Sequence, residues 1–423
     1  MVRSLWIALL AVAGCTFRIA PLDPVDGLAP AGSDGAGAPR DLAARDDLTA
    51  TGPSDLAMPD LLKPFVVSHV GQNYLAATGD LTVSKTIDTG AHKIDGAAPA
   101  NGVTFGDAME PGNLAVSILA VHDLTIANGA TVKVSGPRPL VIVASGAITV
   151  DGILDGSARK GAAGPGGQGM GGVMMAAGTG GDGAHNGQYD DSGGGGGGFG
   201  ATGGKGGTGG GAAGGAGGAV YPVNDDALAQ SVPGGSAGGG GSSNDFGGCP
   251  MPTAGAGGGS IQLSAQVQIA FGAMGGVTVG GGGGRGGCIN NNAAASGGGG
   301  GSGGAIFIES PSVTFDPAAI LAANGGGGGS GGDFGNSAGK DGGDGAAAAT
   351  QAGGGGGVGG QSAAGGKGGA LAAPSGDVGG SSNMGGGNGG GGGGGVGRIV
   401  VRSRGVAVLP TTVSPTAVLD PSL

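Results

Sequence analysis

Between residues 161 and 395 lie 95 of the chain's 115 glycines. Glycine brings no side chain to bury and gives up more backbone freedom on folding than any other residue. A segment of this composition cannot form an ordinary apolar core. Any order in it has to come from the backbone, or from the short apolar segments that interrupt it.

Those interruptions are near-copies of one another. Residues 65–160 already contain the unit: Leu81-Thr-Val83, Leu124-Thr-Ile126, Val132-Lys-Val134, Leu140-Val-Ile142-Val-Ala144 and Ile148-Thr-Val150. Period-two runs broken by Gly or by Asn128-Gly129 predict strands joined by tight turns, and no helical period is sustained. The cassette returns three times, near 259–280, 305–324 and 398–413. Ser260-Ile261-Gln-Leu263-Ser-Ala265 leads to Val267-Gln-Ile269 and Val277-Thr-Val279. Ala305-Ile306-Phe-Ile308-Glu309 leads to Val313-Thr-Phe315 and Ile320-Leu-Ala322. Arg398-Ile399-Val-Val401-Arg402 leads to Val406-Ala-Val408.

Short strands repeated at similar spacing are the mark of stacked repeats, in which one unit cannot bury its apolar face alone. The predicted fold is all-β. The pattern resembles the right-handed parallel β-helix, a solenoid of many secreted bacterial proteins, with a β-sandwich of the same strands as the alternative. In the helical arrangement Ile142, Leu263, Ile308 and Val401 would stack as an aliphatic ladder.

The glycine tracts, roughly 161–258, 281–304 and 325–395, are then long insertions between repeats. They lack the every-third glycine and the proline of collagen. Two arrangements remain open: flexible linker, or extended three-residue-per-turn strands that lie side by side and exchange backbone hydrogen bonds. Cys249 and Cys288 lie in different insertions and flank one repeat. An oxidising compartment would pair them as a disulfide, two free thiols being the alternative.

The N-terminus predicts the location. Arg3 precedes an apolar run, Leu5 to Ala13, too short to span a bilayer and suited to a signal peptide. Val12-Ala13-Gly14-Cys15 resembles the lipobox of bacterial lipoproteins, which implies residues 1–14 as signal and Cys15 as the lipidated residue. By the same resemblance Thr16 favours the outer membrane of a Gram-negative cell, and the lipid would be the membrane anchor. Residues 15–64 carry seven prolines and a loose Asp-Leu repeat (Asp41-Leu42, Asp47-Leu48, Asp55-Leu56, Asp60-Leu61), the composition of an acidic tether. They resemble the spacers of bacterial surface lipoproteins.

Chemistry is sparse. The net charge is −11 and no Lys/Arg stripe is present, which disfavours nucleic acid as a partner. Trp6 is the single tryptophan, so few rings are offered to sugars. The histidines 69, 92, 122 and 185 do not fall at metal-ligand spacing. Gly204-Lys205 and Gly366-Lys367 lack the Ser or Thr that a phosphate loop places after lysine. Asp151 and Asp155 flank a turn, and Asp182, Asp190 and Asp191 lack the regular spacing of calcium-binding glycine repeats. No catalytic residue, metal site or cofactor is predicted. The sequence therefore predicts a non-enzymatic structural or adhesive lipoprotein at the cell surface, with extracellular polysaccharide or a surface protein as partner. The alternatives are a polysaccharide-active β-helix enzyme, which needs a groove of three or more carboxylates beside a basic residue, and binding to ice or another ordered surface.

Overall fold

The computed structural model describes residues 65–423, apart from 111–112, 170–177, 187–189, 222–230, 244–248, 291–292, 334–336, 384–385 and 406. Cys15, the signal and the tether lie outside the described residues.

The described chain is almost entirely strand and extended segment, with one short 3-10 turn at Gln72–Ala76. Its strands go to three sheets in rotation. β5 (Ala115–Val121), β6 (Leu124–Ile126) and β7 (Thr131–Ser135) make one circuit. β8 (Leu140–Ala144), β9 (Ala147–Val150) and β10 (Ile153–Asp155) make the next. β11 (Ser260–Ala265), β12 (Gln268–Phe271) and β13 (Gly276–Thr278) follow, and then β16 (Ala305–Glu309), β17 (Val313–Phe315) and β18 (Ile320–Ala322). Each strand lies parallel to its equivalent in the circuit before.

The final circuit departs from the expected cassette. β19 (Arg398–Arg402), β20 (Thr412–Ser414) and β21 (Val418–Asp420) join the first and third sheets only. Of the strand predicted at Val406–Val408, Val406 lies outside the described residues, and Val408 is 80 % exposed with no ladder partner. Among the described residues, the second sheet, β1-β6-β9-β12-β17 with β1 at Leu81–Val83, has five strands against seven in the first and in the third.

At the opposite end two strands run antiparallel. β3 (Lys93–Ile94) pairs with β2 (Thr86–Asp88), and β4 (Thr104–Met109) pairs with β5. They cover strand edges that would otherwise offer free hydrogen-bonding groups.

Alternation places the aliphatic side chains between the sheets. Leu119, Ile142, Leu263, Ile308 and Val401 are successive register partners, all essentially inaccessible. Leu124, Ile148, Ile269 and Val313 stack in the second sheet, and Val132, Leu154, Val277, Leu321 and Val413 in the third. One continuous cluster joins these ladders. Each buried aliphatic side chain stabilises the fold by about 1.5–3 kcal/mol. The turn between β6 and β7 uses Asn128-Gly129, with Gly129 at φ 67°, a conformation costly for a side chain.

All three glycine-rich insertions leave from the end of a third-sheet strand and return at the start of a first-sheet strand. They run between β10 and β11, between β13 and β16, and between β18 and β19. The sequence periodicity thus delivers every insertion to the same corner of the stack.

Candidate functional site

The insertions are ordered against one another through their backbones. Residues 296–304 illustrate the rule. Gly299 donates its N–H to Gly239, Gly300 to Gly392 and Gly301 to Gly282, each at 2.9 Å, and the triplets before and after repeat the same three neighbours. Its carbonyls accept from three others: Gly297 and Gly300 from Gly194 and Gly197, Gly298 and Gly301 from Gly329 and Gly326, Gly299 and Ser302 from Gly255 and Gly258. A partner that recurs every third residue is the period of a polyproline II strand. Six neighbours around one strand make a hexagonal lattice, and residues 193–198, 325–332 and 389–395 are enclosed in the same way.

Glycine is required here for the absent Cβ and not for unusual dihedrals, since almost none of these residues has positive φ. A methyl group at Gly299 would run into the carbonyl oxygen of Gly195, one at Gly391 into that of Gly298, and one at Gly300 into that of Gly326. Collagen needs glycine only at the one position in three that faces its axis. A strand enclosed on all sides needs it at nearly every position; the exceptions in these runs are Ser296, Ser302 and Ser330, all fully buried and hydrogen-bonded to neighbouring strands.

Where a strand faces solvent, the requirement relaxes to two positions in three. Thr202, Lys205 and Thr208 are separated by Gly-Gly pairs, as are Ala213, Ala216 and Ala219. Gly203 and Gly206 donate to Gly218 and Gly215, joining these two segments. Gly376, Gly379 and Ser382 donate to Thr202, Lys205 and Thr208, which brings in Ser375, Val378 and Ser381. Asp377 and Gly380 donate to Lys367 and Ala364 and extend the layer by one more segment. The third residues point outward: all of them are exposed except Thr208, which is half-buried. Val378 is 64 % exposed, and the Thr202 and Ser375 hydroxyls meet at 3.1 Å. The layer therefore displays small side chains and two lysines in rows about 9 Å apart along each strand, three residues at about 3.1 Å each.

Polar side chains finish the lattice at its margins. Ser192 donates to the carbonyls of Ala184 and Ala213, Ser296 to Ser242, and Asn388 to Gly332. Asp182 accepts from Gly240, Asp341 from Gly286, Asp344 from Lys160 and Gly283, and Asp190 from Gly386. Asp191 is buried and pairs with His185 at 2.8 Å. Asp182, Asp190 and Asp191 are thus separately engaged with the protein's own groups.

Cys249 and Cys288 are joined as a disulfide with Cα atoms 5.8 Å apart. They pack with Ala293 and Ala295 beside a small hairpin of β14 (Ile289–Asn290) and β15 (Ala293–Ala294). The bond ties the first insertion to the second.

The remaining singled-out residues do not converge. Asp151 lies in the turn before β10, and Asp155 ends that strand, where it accepts from Arg159 at 2.9 Å and Thr278 at 3.0 Å. Burial would raise the Asp155 carboxyl, but hydrogen bonds from Ser157 and Arg159 together with the Arg159 charge outweigh it and hold the group below the usual carboxylate range. Asp155, Ser157, Arg159, Thr278 and Asp344 line a cleft of about 350 Å³ between the third sheet and the lattice. Its two carboxylates are both committed to internal hydrogen bonds. Each of the four histidines meets a carboxylate: His92 meets Asp107 at 2.8 Å, His122 meets Asp80 at 2.9 Å, His185 meets Asp191, and His69 lies 3.5 Å from Glu110. Among the described residues, Asp80, His122 and Asp123 are the one group whose ligand-type atoms gather within 4.8 Å, and all three are largely solvated.

The outward layer leaves its signal in the sequence as non-glycine at one position in three. No protein family, curated protein or solved structure matches this chain.

Proposed function

We propose that this protein is a lipid-anchored, non-enzymatic component of the Gram-negative cell surface. Cys15 carries the lipid, and residues 15–64 are the tether. The three rotating sheets form a right-handed parallel β-helix that serves as a mount, and the glycine lattice is a stiff structural and adhesive element. The observation that carries this reading is the outward layer built from residues 202–208, 213–219, 364–367 and 375–381. A lattice that spends glycine on nearly every enclosed position yet places Ala, Thr, Ser, Lys and Val at regular outward positions fits a surface built for display. The N-terminal lipobox resemblance supports the location.

The test is adhesion of cells displaying the full chain to polysaccharide-coated and protein-coated surfaces. Ala216→Glu combined with Val378→Glu, both at exposed outward positions by the pattern above, should leave folding intact and abolish adhesion. Unchanged adhesion with the doubly substituted face would overturn the display role. The regular rows also support a second reading, binding to an ordered surface such as ice. Thermal hysteresis in the purified chain that vanishes with the same pair of substitutions would favour it.

A further inference from the structure

Two turns of this chain are built alike. Ala100-Asn101-Gly102-Val103 and Ala127-Asn128-Gly129-Ala130 each close with a hydrogen bond from the fourth residue's N–H to the first residue's carbonyl, at 3.1 Å and 3.0 Å. Gly102 has φ 81° and Gly129 φ 67°, the left-handed conformation that the third position of such a turn requires. Asn101, Gly102, Asn128 and Gly129 are all exposed. The two turns differ at one amide. The Gly129 N–H donates to the Asp151 carbonyl of the next circuit at 3.1 Å, whereas the Gly102 N–H has no acceptor among the described residues.

That amide matters because an asparagine followed by glycine can modify itself. The glycine nitrogen attacks the asparagine Cγ and forms a bond to it. The Cγ–Nδ2 bond breaks, and the proton of the attacking amide passes to Nδ2, which departs as ammonia. Water then opens the five-membered imide at either of its carbonyls. One opening gives aspartate; the other gives isoaspartate, whose main chain runs through the former side chain. Glycine in the second position removes the side chain that would obstruct closure. Its nitrogen can attack only after giving up any hydrogen bond and turning toward Cγ. Two further Asn-Gly pairs are held more firmly: Gly325 donates to Gly369 at 3.0 Å and Gly389 to Asp191 at 2.8 Å. Asn324 and Asn388 are buried, with their side-chain amides donating to backbone carbonyls.

We propose that Asn101 is a site of spontaneous deamidation, singled out from Asn128, Asn324 and Asn388 by the unengaged Gly102 N–H. The turn that it alters is packed against the chain leading into β1. Thr78 and Gly79 donate to the Gly102 carbonyl at 3.1 Å and 3.0 Å, and a Cβ at Gly79 would meet the Asn101 carbonyl oxygen at 2.7 Å. Aspartate at position 101 adds a negative charge beside this contact. Isoaspartate also lengthens the main chain by one methylene within it, which releases the Thr78 and Gly79 amides.

The test holds the full folded chain in mildly alkaline buffer and reads conversion at each asparagine by peptide mass mapping, beside a sample kept in denaturant. Asn101 should convert about fivefold faster than Asn128 or more, the factor that one net hydrogen bond represents. Asn324 and Asn388 should stay intact over the same time. In denaturant, where neither turn survives, the rates at Asn101 and Asn128 should converge. Equal rates in the folded chain, or the same ratio in denaturant, would overturn the proposal. The isoaspartyl form, isolated by chromatography, should exchange the Thr78 and Gly79 amides faster while β8 and β11 stay protected. Unchanged exchange at those two amides would overturn the coupling to the second sheet.

Discussion

The stacked sheets and the glycine lattice solve the same problem by opposite means. In the sheets, side chains such as Leu263 and Ile308 fill the interior, and backbone bonding is confined to two neighbours per strand. In the lattice, side chains are reduced to a few buried Ser and Ala, and each enclosed strand bonds to six neighbours. The first interior is stabilised by apolar area removed from water. The second is stabilised by dense, fully paired peptide groups, each net hydrogen bond contributing about 0.5–1.5 kcal/mol. The sheet interior can rearrange rotamers around a substitution. The lattice interior has only backbone to move, so it should be far less forgiving.

The sharpest way to break the comparison is one methyl group. Gly391→Ala drives a Cβ into the Gly298 carbonyl, with no rotamer available for relief. We expect destabilisation on the order of 5 kcal/mol, at the exceptional end for point substitutions, read by chemical denaturation. A loss below about 1 kcal/mol would mean the strands are not enclosed as described.

Reduction of the Cys249–Cys288 bond comes next. It closes a separation of 39 residues, and its loss should cost about 4 kcal/mol through released chain entropy. Hydrogen exchange should show the loss concentrated in the first two insertions and not in the sheets. Leu263→Ala, in the aliphatic ladder, should cost about 3 kcal/mol by transfer and cavity effects. Its effect should spread over the first sheet and leave the lattice amides protected at sub-global level.

Glu110 tests the seam between the two regions. Its folded pKa, about 7, lies above the ordinary 4.5, so the folded state holds a proton that the unfolded chain releases. The stabilisation is fully present below about pH 4.5 and is lost as pH rises through about 7, a change of about 3 kcal/mol. Denaturation midpoints across that window should fall with rising pH in the native chain and flatten in Glu110→Gln. A native-chain stability that rises across the same window would reverse the sign and remove the argument.

The two regions were also unequally legible. Period two exposed Ile142, Leu263, Ile308 and Val401 because alternation is written in side chains, and the insertion limits followed from where alternation stopped. The lattice left its neighbours unwritten, since a glycine carries no mark of which carbonyl its N–H will meet. What it did write was the outward third residue: Thr202, Lys205 and Thr208, or Ala213, Ala216 and Ala219. A test for collagen asks for glycine at one position in three and so passes over non-glycine at one in three. The hydrogen bonds from Ser68 to Glu309 were illegible for another reason: the two residues stand 241 positions apart and meet only because residues 65–70 lie across the first sheet. The tie between two insertions was legible as well, because Cys249 and Cys288 lie in different insertions on either side of one repeat and are joined in the structure.

The smallest prediction concerns a glycine that should not need to be one. Gly356 lies on a lattice segment at the outer margin, is exposed, and has nothing within 4 Å of the direction a Cβ would take. Its φ is not positive, so alanine can adopt the native backbone without strain. Alanine there would chiefly restrict the unfolded chain, and Gly356→Ala should therefore stabilise by about 0.4–1 kcal/mol. The same atom change thus has opposite signs at Gly391 and at Gly356, and enclosure alone separates them. Equal destabilisation at both positions, measured side by side by denaturation, would mean that glycine is selected for backbone freedom throughout and that the missing Cβ is incidental.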